Sequence, residues 1–397
     1  MLDRNRLYAH NVRGGARVSH GPRTLARPKA AATASTFNGI YMRPNPSSTG
    51  TIPAQGSLCD SPDIWIAGTT PVANYQTALA TSQSYGTSSS NNVSVGYDNY
   101  IYVRGLNGAQ TTVSNTVELF YVPNAAIPWP SQWQGNVINT DAGNGTSIAN
   151  ITNLAPGAIG VADATFLWSN VQPPPSGSDH YCLIAWLNTS NNSNPFPAIY
   201  TQLDMSALIM NNLAWGWRNT VEVSSNLPTW SYQMGLSIPL NISTTAQYYV
   251  FVNPTGFVGW SVAFNCSQTD AKGNPIQLVE TPIQQNGALL GTTCVLEPGF
   301  NATVTISMYS NGKSSSAGAT IPLGCTYQST VSEVDEVMKR NLVDWRLMRL
   351  MKKSLENSQI GPTPWTPLGF QPYTIAPTTS NVYANDPAQA RRGKKGK

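Results

Sequence analysis

The chain has 397 residues and 11% of them are charged, against roughly 25% in an average soluble domain. It is rich in Gly and Pro, and 41% of it is hydrophobic, enough for a large core without a metal or disulfide staple. No run approaches 18 apolar residues, which excludes a transmembrane helix, and the first 30 residues lack the apolar stretch of a secretory signal.

The net charge of +4 conceals a segregation. Residues 1–35 carry Arg4, Arg6, Arg13, Arg17, Arg23, Arg27 and Lys29 against Asp3. Residues 381–397 carry Arg391, Arg392, Lys394, Lys395 and Lys397 against Asp386. The intervening 36–380 hold 11 basic and 17 acidic residues, so an acidic body carries a basic arm at each end. Like-charge blocks at termini act as interaction tails. Such arms neutralise phosphates without a sequence code, pair with acidic bodies of neighbouring copies, or serve as solubilising tails; the sequence leaves all three open.

Taken in order, residues 1–57 read as a basic extended arm and linker, with no apolar period. From 58 to 328 short runs rich in Val, Ile, Thr, Tyr, Phe and Trp alternate with Gly, Asn, Pro and Ser clusters. Examples are DIWIAG, TVELFYV, HYCLIAWLN, QYYVFVNP and ATVTISMYS. This pattern predicts all-β architecture, either tandem Ig-like sandwiches divided as 58–212 and 213–328 or one larger jelly roll. In TVELFYV the alternation puts Val117, Leu119 and Tyr121 on one face, as a sheet with one wet face requires. Five basic and twelve acidic residues occur over 36–328, so this surface relies on Ser, Thr, Asn and Gln for solubility.

Residues 329–357 predict one amphipathic helix. Thr330 and Glu333 fit a capping box, with acids early and bases late. Val334, Met338, Leu342, Trp345 and Met348 recur at helical spacing, forming a face for the protein's own body or for another subunit. Residues 358–397 read as a Pro-rich, extended basic tail.

The stretch from SPDIW through DNYIYVRGLNGAQTTVSNTVELFYV to IPWPSQW resembles the bacterial cell-adhesion-related Ig-like modules often called CARDB-like. The matching positions are Asp98, Asn99, Val103, Arg104, Asn107, Gly108, Asn115, Val117, Leu119 and Tyr121, and the likeness extends over about 61–225. It implies β-sandwiches used in adhesion. The general plan, basic arm plus β shell domain, is similar to that of viral coat proteins.

Catalytic chemistry is sparse. The histidines are His10, His20 and His180; His180 and Cys182 are two apart on a strand, without a visible third group. Asp60, Asp63 and Asp98 are isolated acids, and no metal motif, phosphate loop or nucleophile elbow occurs. Trp129, Trp133, Trp215, Trp217 and Trp230 serve either a core or a sugar-binding face. The five widely spaced cysteines read as buried thiols, with one or two disulfides left open. The expectation is a non-enzymatic structural protein without cofactor or bound metal. It assembles with itself into a particle, such as a virion or phage coat, with arms on nucleic acid or neighbouring subunits. The alternative is a bacterial adhesion protein, at the cell surface or extracellular, that recognises protein or glycan.

Overall fold

A computed structural model describes residues 35–343 and 364–376, apart from positions 90, 144, 189–193, 197, 200, 221, 225–228, 317, 372 and 373. Both basic arms lie outside the described residues, as do Trp345 and Met348.

The first β-sandwich uses β1 (Ile64–Gly68), β2 (Asn99–Asn107), β3 (Val113–Pro123), β4 (Ile148–Leu154), β5 (Ile159–Val161), β6 (Phe166–Trp168), β7 (Tyr181–Asn188) and β8 (Trp215–Asn219). One sheet gathers β1, β5, β6 and the short Ile40–Tyr41 strand around β2. The other runs β8-β7-β3, with β4 pairing β3. Val117 and Leu119 on β3 and Leu183, Ala185 and Leu187 on β7 meet Ile64, Ile101 and Val103 between the sheets, with Tyr121 packed against the same cluster. That is the face the alternation predicts.

The opposite face of this sheet is not wet. Phe120 and Val122 on β3 and Cys182, Ile184 and Trp186 on β7 belong to a second, larger core. Trp215 and Trp217 of β8, helix α1 (Gln202–Asn211), the turn at Pro130–Trp133 and the second sandwich supply most of the rest of that core. HYCLIAWLN is apolar almost without interruption, as a strand buried on both faces must be. Thr201 and Asp204 form a capping box that starts α1.

The second sandwich uses β9 (Thr229–Ser237), β10 (Ala246–Val252), β11 (Ser261–Thr269), β12 (Pro275–Pro282), β13 (Leu290–Leu296), β14 (Asn301–Tyr309), β15 (Leu323–Gln328) and β16 (Trp365–Gln371). Its sheets run β9-β14-β11-β12 and β13-β10-β15-β16. Tyr232, Met234 and Leu236 alternate inward from β9 and face Tyr248, Val250 and Val252 from β10. A period of two is legible here because the outer face of β9 is exposed at alternate positions.

Two features depart from the expected boundaries. Trp215–Asn219, expected to open the second module, pairs with β7 from Trp186↔Trp215 to Cys182↔Asn219 and so completes the first. Trp365–Gln371, expected in the tail, pairs with β15 and forms an edge of the second sandwich. The sandwiches are also stitched together. Ala126 N donates to Gly235 O at 2.8 Å and Gly235 N to Asn124 O at 3.0 Å. Gly369 of β16 comes so close that a Cβ there would collide with the Ala126 carbonyl.

The expected Thr330–Glu333 capping box opens a single 3₁₀ turn, Val331–Glu333, from which helix α2 (Val334–Lys339) continues. It is much shorter than the sequence period suggests. Asn341 takes φ 55°, Asn341 N donates to Met338 O at 3.2 Å and Leu342 N to Val337 O at 3.0 Å. This is a Schellman stop, with Val337 and Leu342 both buried as its apolar contact. The apolar spacing continued across the stop and masked it. Val334 and Met338 are half-buried, Leu342 is fully buried, and Val343 joins the large core. Arg340 ties the end of α2 to α1, with Nη1 3.2 Å from Asp204 Oδ1 and its carbonyl accepting from Asn211 Nδ2 at 2.8 Å. Among the described residues no helix is long and apolar enough to cross a membrane.

The stop has a direct test. Asn341→Gly should leave chemical-denaturation stability unchanged within a few tenths of a kcal/mol, because glycine accepts the left-handed backbone. Asn341→Val should cost about 1–2 kcal/mol in the same measurement.

Candidate functional site

The connection from β1 to β2 has little apolar periodicity, yet Leu79, Ser89 and Val93 within it are buried. Buried backbone carbonyls need donors, and arginine side chains supply them. Arg104, from the centre of β2, is fully buried. Its Nη1 donates to Leu79 O at 3.3 Å and Ser84 O at 3.0 Å, and its Nη2 to Pro62 O at 3.0 Å and Thr87 O at 2.8 Å. Nε reaches Asp63 Oδ1 at 3.3 Å, so all five donors are used.

Asp63 is shared. Its Oδ2 accepts from Arg43 N at 2.8 Å and Arg43 Nε at 3.0 Å, and the Arg43 guanidinium lies 3.5 Å from the centre of the Tyr85 ring. Burial pulls the Arg104 guanidinium below its ordinary value, and Asp63 opposes that shift. Arg218 on β8 repeats the device, donating to Ile64 O at 3.0 Å and Ser89 O at 2.6 Å.

The other positions matched to the adhesion-module pattern are structural as well. Asn99 Nδ2 donates to Ser94 O and Tyr97 O, and its Oδ1 accepts from Ser94 N. Asn107 Nδ2 bridges Thr111 O and Leu154 O, and Asp98 Oδ1 accepts from Asn170 N. Asp63 is therefore committed to arginine, while burial raises the Asp60 carboxyl against the pull of Arg218. Among the described residues no group of three His, Cys, Asp or Glu could hold a metal ion.

His180 is 1% exposed. Its Nδ1 lies 2.6 Å from Asp179 Oδ1, and its Nε2 lies 3.4 Å from Gln371 Nε2. The same Gln371 nitrogen donates to Cys182 Sγ at 2.7 Å. An amide from the far end of the chain thus stands between imidazole and thiol. Cys59 Sγ donates to Phe370 O at 3.1 Å beside it. All five cysteines are free and buried. Burial pushes the Cys182 thiol up to about 12 and the Cys59 and Cys325 thiols well above their ordinary value. The five tryptophans that offered a sugar-binding face are also buried, from Trp133 at 0% to Trp230 at 8% exposed.

These placements redistribute the charge. Three of the five basic residues between 36 and 328 are Arg43, Arg104 and Arg218, all buried. The cations left on that surface are Lys272 and Lys313. Asp98, Asp141, Asp163, Glu280 and Glu297 are exposed, and Glu118, Asp179 and Asp204 are half-buried. Total charge foretold an acidic body, but which cations are withdrawn from the surface is visible only in the fold.

No family model matches the chain, and no curated protein does. Among solved structures it is similar to an isomalto-dextranase of Arthrobacter globiformis complexed with panose, at 13% identity and TM-score 0.16 over 62% of this chain and 38% of that one. A red sea bream transglutaminase matches at 11% identity and TM-score 0.16, over 62% of this chain and 30% of the other. A tip adhesin from Pseudomonas aeruginosa matches at 10% identity and TM-score 0.12, over 67% and 90%. The chain thus spans 38% and 30% of the first two proteins. These likenesses are too slight to carry the fold or the function; the all-β fold rests on the strand pairing above.

The arginine clamp predicts that Arg104→Leu lowers unfolding free energy by about 3–5 kcal/mol in a denaturant titration. Arg104→Lys should recover little, because an ammonium cannot span four carbonyls and a carboxylate. Thiol titration probes burial separately. The native protein at pH 8 should react slowly at all five cysteines, and the denatured chain should react fully. A buried thiol with a raised pKa favours the protonated folded state. For Cys182 that stability is full below the unfolded thiol value and is lost as pH rises through about 12.

Proposed function

We propose that the chain is a non-enzymatic structural protein that assembles with copies of itself into a particle of the virion-shell kind. The observation that carries this reading is the division of charge between body and arms. The body buries three of its arginines and leaves a surface of scattered carboxylates with two lysines over 36–328. The arms hold Arg4 to Lys29 at one end and Arg391 to Lys397 at the other. Opposite charge on separate parts of one chain favours contact between copies and sets their register more than it sets raw affinity. The same arms can neutralise the phosphates of an enclosed nucleic acid. A polar, weakly charged surface of Ser, Thr and Asn costs less to desolvate than a charged one when neighbours cover it. A second reading, a binding module for protein or glycan, draws on a cleft of about 260 Å³ lined by residues 54–58, Asn253, Thr255 and Phe370.

Sedimentation velocity and electron microscopy of the full chain test the assembly. Ordered particles should form at low salt and dissociate as salt screens the arms. Deleting residues 2–30 should leave the unfolding midpoint unchanged and reduce assembly. Nuclease treatment then separates the partners, since particles held by nucleic acid fall apart and particles held by arm–body pairing persist. A full chain that stays monomeric at every salt concentration overturns the reading, as does undiminished assembly of the deletion variant.

A further inference from the structure

The seam between the sandwiches holds a thiol and a carboxamide in contact. Cys182 of β7 and Gln371 at the end of β16 are each 0% exposed and stand 189 residues apart in the chain. Gln371 Nε2 and Cys182 Sγ are 2.7 Å apart. That separation is ordinary between nitrogen and oxygen, and sulfur is the larger atom, so the two side chains are pressed together. The amide carbon is one C–N bond further on, which places it within about 4 Å of the sulfur. Near-attack geometry for bond formation begins at about 3–3.5 Å.

The rest of the cluster supplies acid–base chemistry. His180 places its Nε2 3.4 Å from the same Gln371 nitrogen. Its Nδ1 lies 2.6 Å from Asp179 Oδ1. Asp179 is held in turn by Asn124 Nδ2 at 3.2 Å and Gln233 N at 3.2 Å. A carboxylate at Nδ1 fixes the tautomer that carries its proton there and presents the Nε2 lone pair to Gln371. Burial keeps the Cys182 thiol protonated at neutral pH, so a nucleophilic role calls for such a base. Gln371 is itself unfavourable where it stands. Its Oε1 is buried without a hydrogen-bond partner, and a methionine would fill the place without stranding a carbonyl.

We infer that Cys182 and Gln371 join in an internal thioester that staples the first sandwich to the C-terminal edge strand. Sγ attacks Cδ of Gln371; the S–C bond forms and the C–N bond to Nε2 breaks. His180 Nε2 takes the thiol proton and hands it to the departing nitrogen, which leaves as ammonia. No oxidant or second substrate enters. Contact held by the fold replaces a bimolecular encounter, and dilution and protonation in bulk water draw the ammonia off. Exclusion of water from the site then protects the acyl bond from hydrolysis. The free thiol and amide described above are the precursor. Asp179 is a positioning residue, since it touches the imidazole and not the reacting atoms. The bond lies within one body, so single chains and particles carry it alike.

Intact-mass spectrometry of the full-length protein provides the test, after the folded chain has stood at neutral pH and been denatured in acid. The chain should be lighter than its sequence by one ammonia, and acid proteolysis should yield a cross-linked peptide pair holding Cys182 and Gln371. Thiol titration of the denatured chain should leave one of the five cysteines silent until hydroxylamine opens the bond, whereas the precursor shows all five. Cys182→Ala should abolish the ammonia loss, and so should Gln371→Met, which keeps the side-chain volume and the fold. His180→Gln should slow the loss by roughly 10²-fold or more, and the wild-type rate should fall as acid protonates the imidazole. A wild-type mass equal to that of the sequence overturns the inference, as does an ammonia loss that persists in Cys182→Ala.

Discussion

The carboxylate of Asp63, held between Arg43 and Arg104 out of contact with water, is the interaction on which the rest of the first sandwich depends. A buried ion pair is weak evidence for stability by itself, because desolvation offsets attraction. Here the guanidiniums do a second task. Arg104 satisfies four carbonyls of Pro62, Leu79, Ser84 and Thr87, and the Asp63 charge keeps that guanidinium tolerable inside. Without such donors the irregular connection from β1 to β2 could not be packed against a sheet. The polar network does there what apolar periodicity does elsewhere.

That interior use of arginine shapes the exterior. A chain with few basic residues in its body has spent three of them on backbone carbonyls. Its outer charge is then set by acids and two lysines over 36–328. The surface of the body is acidic without any acidic cluster in the sequence. Stability of the fold and the sign of its outer charge therefore have one origin, the location of Arg43, Arg104 and Arg218.

The two sandwiches share one continuous seam. Strand β7 belongs to both cores, with Leu183 facing one and Ile184 the other. The backbone after β3 extends the β9 edge, and β16 brings Gln371 to the thiol of Cys182. The His180 and Cys182 pair is thereby closed by an amide and by burial. Its polar atoms pin the C-terminal edge strand to the first sandwich. A cleft lined by Pro367, Gly369 and Phe370 of the same strand opens beside it.

Local pattern was enough for several features. The alternation in TVELFYV placed Val117 and Leu119 inward, the capping box at Thr330 placed the 3₁₀ turn that leads into α2, and the composition of the ends marked the basic arms. Each depends on neighbours within a few residues or on counting, both of which a linear chain displays. Long-range geometry decided the rest. Burial of β7 on both faces required knowing that a second sandwich covers it. The end of α2 turned on a left-handed Asn341 within a period that continued past it. The role of Arg104 as a clamp depended on carbonyls 17 to 42 residues away, and the cleft joins Thr326, Pro367 and the 54–58 loop, which only folding makes neighbours. The sequence by itself determined β architecture and the sign of each region's charge, because side-chain chemistry and spacing carry that information. Which charges reach the surface, and which hydroxyls are left without a partner, only the tertiary structure decided, because both are properties of what the fold excludes from water.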